Sequence, residues 1–322
     1  MRSFQSQDNF SLASVKPLDG LLSYRSHCLE MIREALQGEK RTRVICPICG
    51  EQLVPAGNVD GLPYARCPAD QSLFLAELPG REVWGRLLQE IRRYRNSSAS
   101  FHAQIAQSRA DHVYWPKLEW IQGALRLQGL TRPSLLEIGP LSEEFTRSLK
   151  ESGLLLQVQA LEESEIGRPS GTARSQAAVL LESLDRADDP AALLNGVASR
   201  LVEGGLLFVT ALLSTGFDFA VLGLNNLYLC PPDRTNCFSR NGLSKLLEQS
   251  GFILQELSTP GVLDLQIVRA HAQRDPALSF SAFEEGILSA DRETQQSFQE
   301  FLQQRGLSSF ARIVAKKRDG TP

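Results

Sequence analysis

The sequence has no excess of basic charge: 34 Lys and Arg stand against 37 Asp and Glu over 322 residues, a formal net charge of −3 spread along the chain. Nucleic-acid binders normally present a basic face, so no nucleic-acid partner is expected, and the short basic clusters at 40–43 and at Arg92, Arg93 and Arg95 read as solvated helix faces. The first twenty residues, MRSFQSQDNFSLASVKPLDG, lack the apolar core of a secretory signal. An uninterrupted membrane span is missing too. The one run long enough, residues 206–224, carries Asp218, and a central Asp costs about 2.5 to 3.5 kcal/mol on insertion scales; a buried strand followed by an apolar loop accounts for it better. There is no disulfide framework either. Six cysteines with a single C-x-x-C pair argue for a reducing compartment and for metal chemistry. A cytoplasmic protein with no membrane partner is expected.

What is present has the ordinary composition of a globular chain, 42% hydrophobic and 22% charged, and its length suggests more than one module. Residues 1–22 read as a poorly structured arm. Residues 24–37 follow, with Leu29, Ile32 and Leu36 on one face of a helix and Gly38 beyond its end; His27 and Cys28 on it read as packing or surface residues. Cys46-Pro47-Ile48-Cys49-Gly50 is a metal-knuckle signature, and Cys67 completes C-x2-C-x17-C, inside the spacing window of a zinc ribbon. The fourth ligand position falls on Asp70, and carboxylate is an acceptable zinc ligand. Cys46, Cys49, Cys67 and Asp70 are therefore the expected ligands of a closed, structural zinc site, with a metal-free ribbon held by apolar contacts as the alternative. Residues 82–130 read as mostly helical, with breaks near Asn96-Ser97-Ser98 and at Pro116. Tyr114, Trp115 and Trp120 make this the most aromatic stretch.

The chain is organised around SLLEIGPLSEEFTRSLK, residues 134–150. An apolar run turns at Gly139-Pro140 and becomes an amphipathic segment with Leu141, Phe145 and Leu149 at helical spacing. Ser142 suits an N-cap, Glu143 and Glu144 suit the positive end of the helix dipole, and Gly153 suits the left-handed residue past its end. A buried strand feeding a helix N-terminus is where open α/β sheets bind cofactors. Residues 154–162 form a second strand, and Glu162 ends it twenty-three residues after Gly139, the separation at which a ribose-binding acid belongs.

Leu135-Leu136-Glu137-Ile138-Gly139 resembles the first motif of the class I S-adenosylmethionine-dependent methyltransferases, an acidic residue followed by an apolar residue and G-x-G-x-G. Only the first glycine is present; Leu141 and Glu143 stand at the other two, where their side chains are expected to fill space. From Ala177 onward the resemblance continues through AAVLLESLDRADDPAALLNGVASRLVEGGLLFVT: a strand, the acidic E-x-L turn, a helix started by Asp189-Pro190, and a Gly204-Gly205 stop before a buried strand. Residues 227–265 resemble a subgroup in which a His commonly follows Pro-Pro-Asp near the substrate; this chain has Arg234, which removes that base because Arg stays protonated. The interval 164–176 departs further. The family usually places a helix, a strand and another helix there, and thirteen residues are too few, since one crossover needs a dozen or more.

The resemblance implies an α/β fold: a Rossmann-like methyltransferase sheet of fewer than seven strands, with a last antiparallel strand near 309–317 at its edge, an N-terminal zinc-ribbon-like module and a helical connector that caps the site. The expected division is 1–43 arm and helix, 44–80 ribbon, 81–130 connector, and 131–322 methyltransferase-like domain. Glu137, Gly139, Glu162 and Glu182 are the implied S-adenosylmethionine-binding residues. Two functions stay open: a methyltransferase acting on a small molecule or glycan, or an inactive relative that binds a partner.

Overall fold

The computed structural model of the protein describes residues 10–140, 142–167 and 174–320. Strands β1 (Lys40–Thr42), β2 (Val54–Val59), β3 (Leu62–Arg66), β4 (Leu73–Leu75) and β5 (Glu77–Pro79) come first along the chain. They are followed by β6 (Ser134–Ile138), β7 (Gln157–Leu161), β8 (Ser175–Leu181), β9 (Leu201–Leu212), β10 (Asn236–Cys237), β11 (Phe252–Ser258) and β12 (Phe310–Lys317). Six of them build the central sheet in the order β11-β12-β9-β8-β6-β7. β7, β6, β8 and β9 run parallel, while β12 is antiparallel to both of its neighbours. This is a Rossmann-like sheet with six strands among the described residues, fewer than seven as the 164–176 interval implies: β7 is an edge strand, and the described part of its link to β8 carries only the single 3-10 turn Glu163–Glu165.

The last strand is not at the edge. β12 lies between β9 and β11, with Ala311, Ile313 and Ala315 in one core and Val314 in the other. β11, with exposed Ile253 and Gln255, takes the edge instead. The same period-two alternation divides the other central strands. Ala178, Leu180, Leu207 and Val209 face the helices Pro190–Arg200 and Arg240–Gln249, whereas Ala177, Val179, Leu206 and Phe208 face Trp115–Leu127 and Glu143–Glu151.

The caps expected at Ser142 and Asp189 form, and Ser239 supplies a third. The Phe145 N–H donates to Ser142 Oγ at 3.4 Å, Ala192 N–H to Asp189 Oδ1 at 3.0 Å and Gly242 N–H to Ser239 Oγ at 2.9 Å. Two expectations change. Residues 10–22 are not a loose arm: Leu12–Val15 is helical, a second helix runs Leu18–Ala35, and Leu12, Val15 and Leu21 are buried. The helix begun at Pro190 ends at Arg200 rather than at the glycines, because Leu201 already pairs with β8; Gly204 sits inside β9 at φ +71°. Residues 206–224 resolve into the end of β9 and the short helix Phe217–Leu222, and no helix among the described residues is long and apolar enough to cross a membrane.

The ribbon strands β2, β3 and β4 pair antiparallel, and β10 adds to β4 in register Asn236↔Phe74 and Cys237↔Leu73. The ribbon sheet is thus completed by a segment from between β9 and β11. Pro116 does not break the connector. It sits in the first turn of Trp115–Leu127, and the irregularity comes just before it, as a π-turn over Ala110–Tyr114.

Candidate active site and metal centre

β6 reverses at Gly139, which has φ +59° and donates its N–H to the Leu161 carbonyl at 2.8 Å, tying the turn to the end of β7. A Cβ there would fall 2.5 Å from Glu163 Oε1, so only glycine fits. Glu137, two residues earlier, is buried at 3% exposure and its Oε2 has no hydrogen-bond partner among the described residues. Burial pushes its carboxyl up to about 7, against the opposing pulls of the Thr146 hydroxyl, Arg92 and Lys150. Glu162 caps the 3-10 turn after β7, and its carboxylate is ion-paired with Arg92 of the helix Arg81–Arg95. Beside it Glu163 pairs with Arg186 at 3.1 Å; burial holds this carboxyl at about 7 even with Arg186 opposing. Arg186 also donates to the Gly139 carbonyl, which locks the turn to the helix Ser183–Arg186.

Two small cavities flank Gly139 and Pro140. One, about 40 Å³, holds Glu162, Arg92 and Arg186; the other, about 20 Å³, holds Glu137, Tyr114, Ser142 and Glu182. The second shares Arg95, Arg109, Lys117 and Glu182 with a much larger cavity of about 180 Å³. Glu182 therefore stands at a junction. Its backbone is left-handed, φ +61°, and its carboxylate lies 2.6 Å from Arg234 Nη2 and 3.8 Å from Lys117 Nζ. Burial alone would raise its carboxyl; Arg234, Lys117 and Arg95 hold it well below the ordinary range. Of the four residues implied by the resemblance, Glu137, Gly139 and Glu182 line one cavity, and Gly139 and Glu162 the neighbouring one.

Several residues of this site carry no linear signal. Arg95, His102, Arg109 and Lys117 all come from the connector helices, where in sequence they read as polar surface. His102 is held neutral, its proton affinity lowered by burial and by Arg95 and Arg109, and its Nδ1 lies 2.8 Å from Ser100 Oγ. Glu143, expected to crowd the turn, is instead an exposed first-turn residue whose N–H donates to Asn96 Oδ1 at 3.2 Å. Leu141 lies outside the described residues.

A family model described as a methyltransferase domain matches residues 81–257, more than half of the chain. The chain belongs to this methyltransferase family. The match begins at the connector and takes in the helices that supply Arg95, Arg109 and Lys117. No curated protein matches the chain. Among solved structures, the 1,6-didemethyltoxoflavin-N1-methyltransferase of Burkholderia thailandensis is 12% identical over 83% of this chain and 100% of that one, with a TM-score of 0.44. An S-adenosylmethionine-dependent methyltransferase of Thermotoga maritima is 17% identical over 74% and 99%, with a TM-score of 0.40. Phosphoethanolamine N-methyltransferase 2 of Haemonchus contortus is 14% identical over 59% and 49%, with a TM-score of 0.36.

The methyltransferase crevice fits S-adenosylmethionine in its donor and acceptor chemistry, and one movable side chain narrows it. The unpartnered Glu137 oxygen has the chemistry to accept from an ammonium, and the Glu162 carboxylate, which lines the cavity beside Gly139, has the chemistry to accept from hydroxyls. Arg92 now occupies Glu162, but the pair is 29% and 34% exposed, and such pairs contribute about 0 to 1 kcal/mol. Arg92 can therefore swing away at small cost. Arg186 and Glu163, 5% and 18% exposed, are a buried pair whose separation costs about 3 to 5 kcal/mol; they remain as the floor of the turn.

The ribbon holds two knuckles of equal design. Gly50 N–H donates to Cys46 O at 3.1 Å and Gln71 N–H to Cys67 O at 2.9 Å, with both donors in the left-handed region at φ +78° and +69°. This equivalence puts Asp70 where Cys49 stands in the first knuckle. One ligand atom from each of Cys46, Cys49, Cys67 and Asp70 lies within 4.8 Å of the others. Cys49 Sγ and Cys67 Sγ are 3.4 Å apart, Cys46 Sγ and Asp70 Oδ2 3.7 Å. Tetrahedral zinc with bonds of about 2.0 to 2.3 Å spans ligand separations of this order.

Proposed function

We propose that the protein is an active class I methyltransferase whose acceptor is a small molecule held in the 180 Å³ cavity. The observation that carries this is the junction at Arg95, Arg109, Lys117 and Glu182, four residues that line both the acceptor cavity and the small cavity at the Glu137 and Gly139 turn. Bound S-adenosylmethionine supplies an electrophilic methyl group on a sulfonium. This chain's own residues bind and orient: Glu137 receives the ammonium, Glu162 the ribose hydroxyls, and Gly139 gives the close approach that a side chain would block. Holding acceptor and methyl in line supplies much of the rate. Arg234 cannot take a proton; it fixes Glu182. A small molecule is favoured over a glycan because the cavity is largely walled by apolar side chains, whereas a glycan chain needs an open polar groove.

Titration calorimetry with S-adenosylmethionine and S-adenosylhomocysteine tests the reading. Micromolar binding is expected, weakened about tenfold by Glu162→Ala, or about 1.4 kcal/mol. Arg92→Ala should tighten it by up to about fivefold, since it removes a competing pair of at most about 1 kcal/mol. No heat and no thermal shift at millimolar ligand would leave the protein as an inactive family member that binds a partner.

We further propose that Cys46, Cys49, Cys67 and Asp70 bind one structural zinc ion. Four protein ligands leave no open position for a substrate or water, so this metal would act on folding and not on chemistry. Three cysteines kept reduced for a metal support a cytoplasmic location.

A further inference from the structure

We propose that the large cavity binds a small aromatic carboxylate, with its carboxylate held by Arg109 and Lys117 at the junction and serving there as the methyl acceptor. The binding half stands on the cavity alone; the acceptor half rests on the methyltransferase reading.

Arg109 and Lys117 have no carboxylate of their own among the described residues. They line the cavity with Lys16, Arg95, Arg234 and Arg312 and with the carboxylates of Glu182, Asp218, Asp233 and Asp264, and the buried Asp185 lies 3.5 Å from Arg234. Glu182 is taken by Arg234 at 2.6 Å, and Asp233 by Arg95 at 3.7 Å and the Tyr24 hydroxyl at 2.9 Å. Asp218 and Asp264 turn to neutral donors: Asn226 Nδ2 at 3.1 Å for the first, Gln299 Nε2 at 2.8 Å and Ser308 Oγ at 2.6 Å for the second. Among the described residues Arg109, 8% exposed, has neutral oxygens only, Val15 O and Tyr114 Oη, each at 3.3 Å. Lys117, 3% exposed, reaches Glu182 only at 3.8 Å, on a carboxylate that Arg234 already holds. A buried guanidinium without a counter-ion is costly, and an anion entering the cavity supplies what these two cations lack.

The rest of the wall sets the body of the ligand. Phe10, Tyr24, Phe101, Tyr228 and Phe310 contribute ring surface, with Val15 and Ile267 between them. An apolar cavity of about 150 Å³ accepts benzene, so about 180 Å³ suits one ring carrying one carboxylate. The junction position then explains the missing base. A carboxylate is already ionised at neutral pH: an oxygen lone pair forms the new O–CH3 bond, the C–S bond of the sulfonium breaks with its pair left on sulfur, and the two opposite charges vanish together. No proton moves, so Arg234 in place of a base and His102 tied to Ser100 cost the reaction nothing.

Calorimetry of the whole protein without cofactor, with benzoate, benzamide and inorganic phosphate as probes, tests the binding half. Benzoate should bind at least tenfold more tightly than benzamide, which has the same shape and no charge. Arg109→Gln should abolish that preference while leaving benzamide binding unchanged, and Lys117→Gln should reduce the preference if the first variant does not fold. Equal affinity for benzoate and benzamide, or tighter phosphate than benzoate, would overturn the assignment. Methyl benzoate formation with S-adenosylmethionine tests the acceptor half. Benzoate binding without cofactor binding sinks the methyltransferase reading and keeps the cavity assignment; binding of both with no ester overturns the acceptor role.

Discussion

Glu137 is the residue whose environment asks most plainly for a ligand. It is a strand carboxylate with one oxygen unpaired, raised by burial from near 4.5 to about 7, a cost on the order of 3 kcal/mol when it must be ionised. Between these two values the native state keeps a proton that the unfolded chain has lost, so the stability this residue contributes falls as pH rises through that window. Glu137→Gln removes the charge and keeps the shape. Its melting temperature should exceed that of the parent at pH 8, the gain should shrink toward pH 5, and S-adenosylmethionine binding should be lost. A variant less stable at pH 8 would mean that the carboxylate already has a partner. Glu137 and Gly139 are legible in sequence because strand, turn and cap lie contiguous. Arg109 and Lys117 are not: Arg109 ends a helix of only four residues, Lys117 sits in the first turn of a largely apolar one, and the π-turn between them rotates the two side chains in a way no 3.6-residue repeat describes. Glu162 could be placed by its spacing, whereas its Arg92 partner, seventy residues away, could not.

At the scale of elements, the ribbon backs the segment that brings Asp233 and Arg234 to the cavity. β10 follows directly on Asp233 and Arg234, and it is held to the ribbon by its pairing with β4, by Leu75 N–H to Thr235 O at 2.8 Å and by Tyr64 Oη donating to Arg234 O at 2.6 Å. The second knuckle is tied to the chain just after β10: Asp70 Oδ1 accepts from Ser72 N–H at 2.8 Å, and Ser72 Oγ accepts from Ser239 N–H at 2.9 Å. Purified protein should carry about one equivalent of zinc, as four-ligand sites do, and Cys67→Ser should lose it, lower the melting temperature and loosen whatever binds beside Arg234. Metal-free protein of equal stability would leave the ribbon as a relic held by Ile48, Leu53 and Phe74 alone. The cysteine spacing made the ribbon readable, but nothing in it pointed to a strand 160 residues later. Nor did the pattern of β12, which sets Arg312, Lys316 and Lys317 among its apolar residues, say which neighbours it would take.

The whole molecule stores charge of both signs in poorly solvated places, and this gives it an unusual dependence on pH. Burial holds Glu137, Glu163, Asp185 and Asp218 at about 7, above ordinary values near 4.5 and 3.8. It also lowers Lys16 and Lys117 from 10.5 to about 8. For the acids the native state binds more protons than the unfolded chain from about pH 4 to 7, so stability falls as pH rises across that range. For the lysines the unfolded chain binds more protons from about pH 8 to 10.5, so stability rises across that one. Melting temperature of the ligand-free protein should therefore pass through a minimum near pH 7 to 8, where most proteins are close to their maximum. Ligands that bring an ammonium to Glu137 and a carboxylate to Arg109 and Lys117 supply the missing counter-charges, so S-adenosylmethionine and benzoate together should fill in the minimum more than either does alone. Melting curves at pH 5.5, 7.5 and 9.5, with and without the two ligands, decide it. A conventional maximum at pH 7.5 in the ligand-free protein would mean that these buried groups are neutralised within the fold, and that the cavity is not waiting for charge.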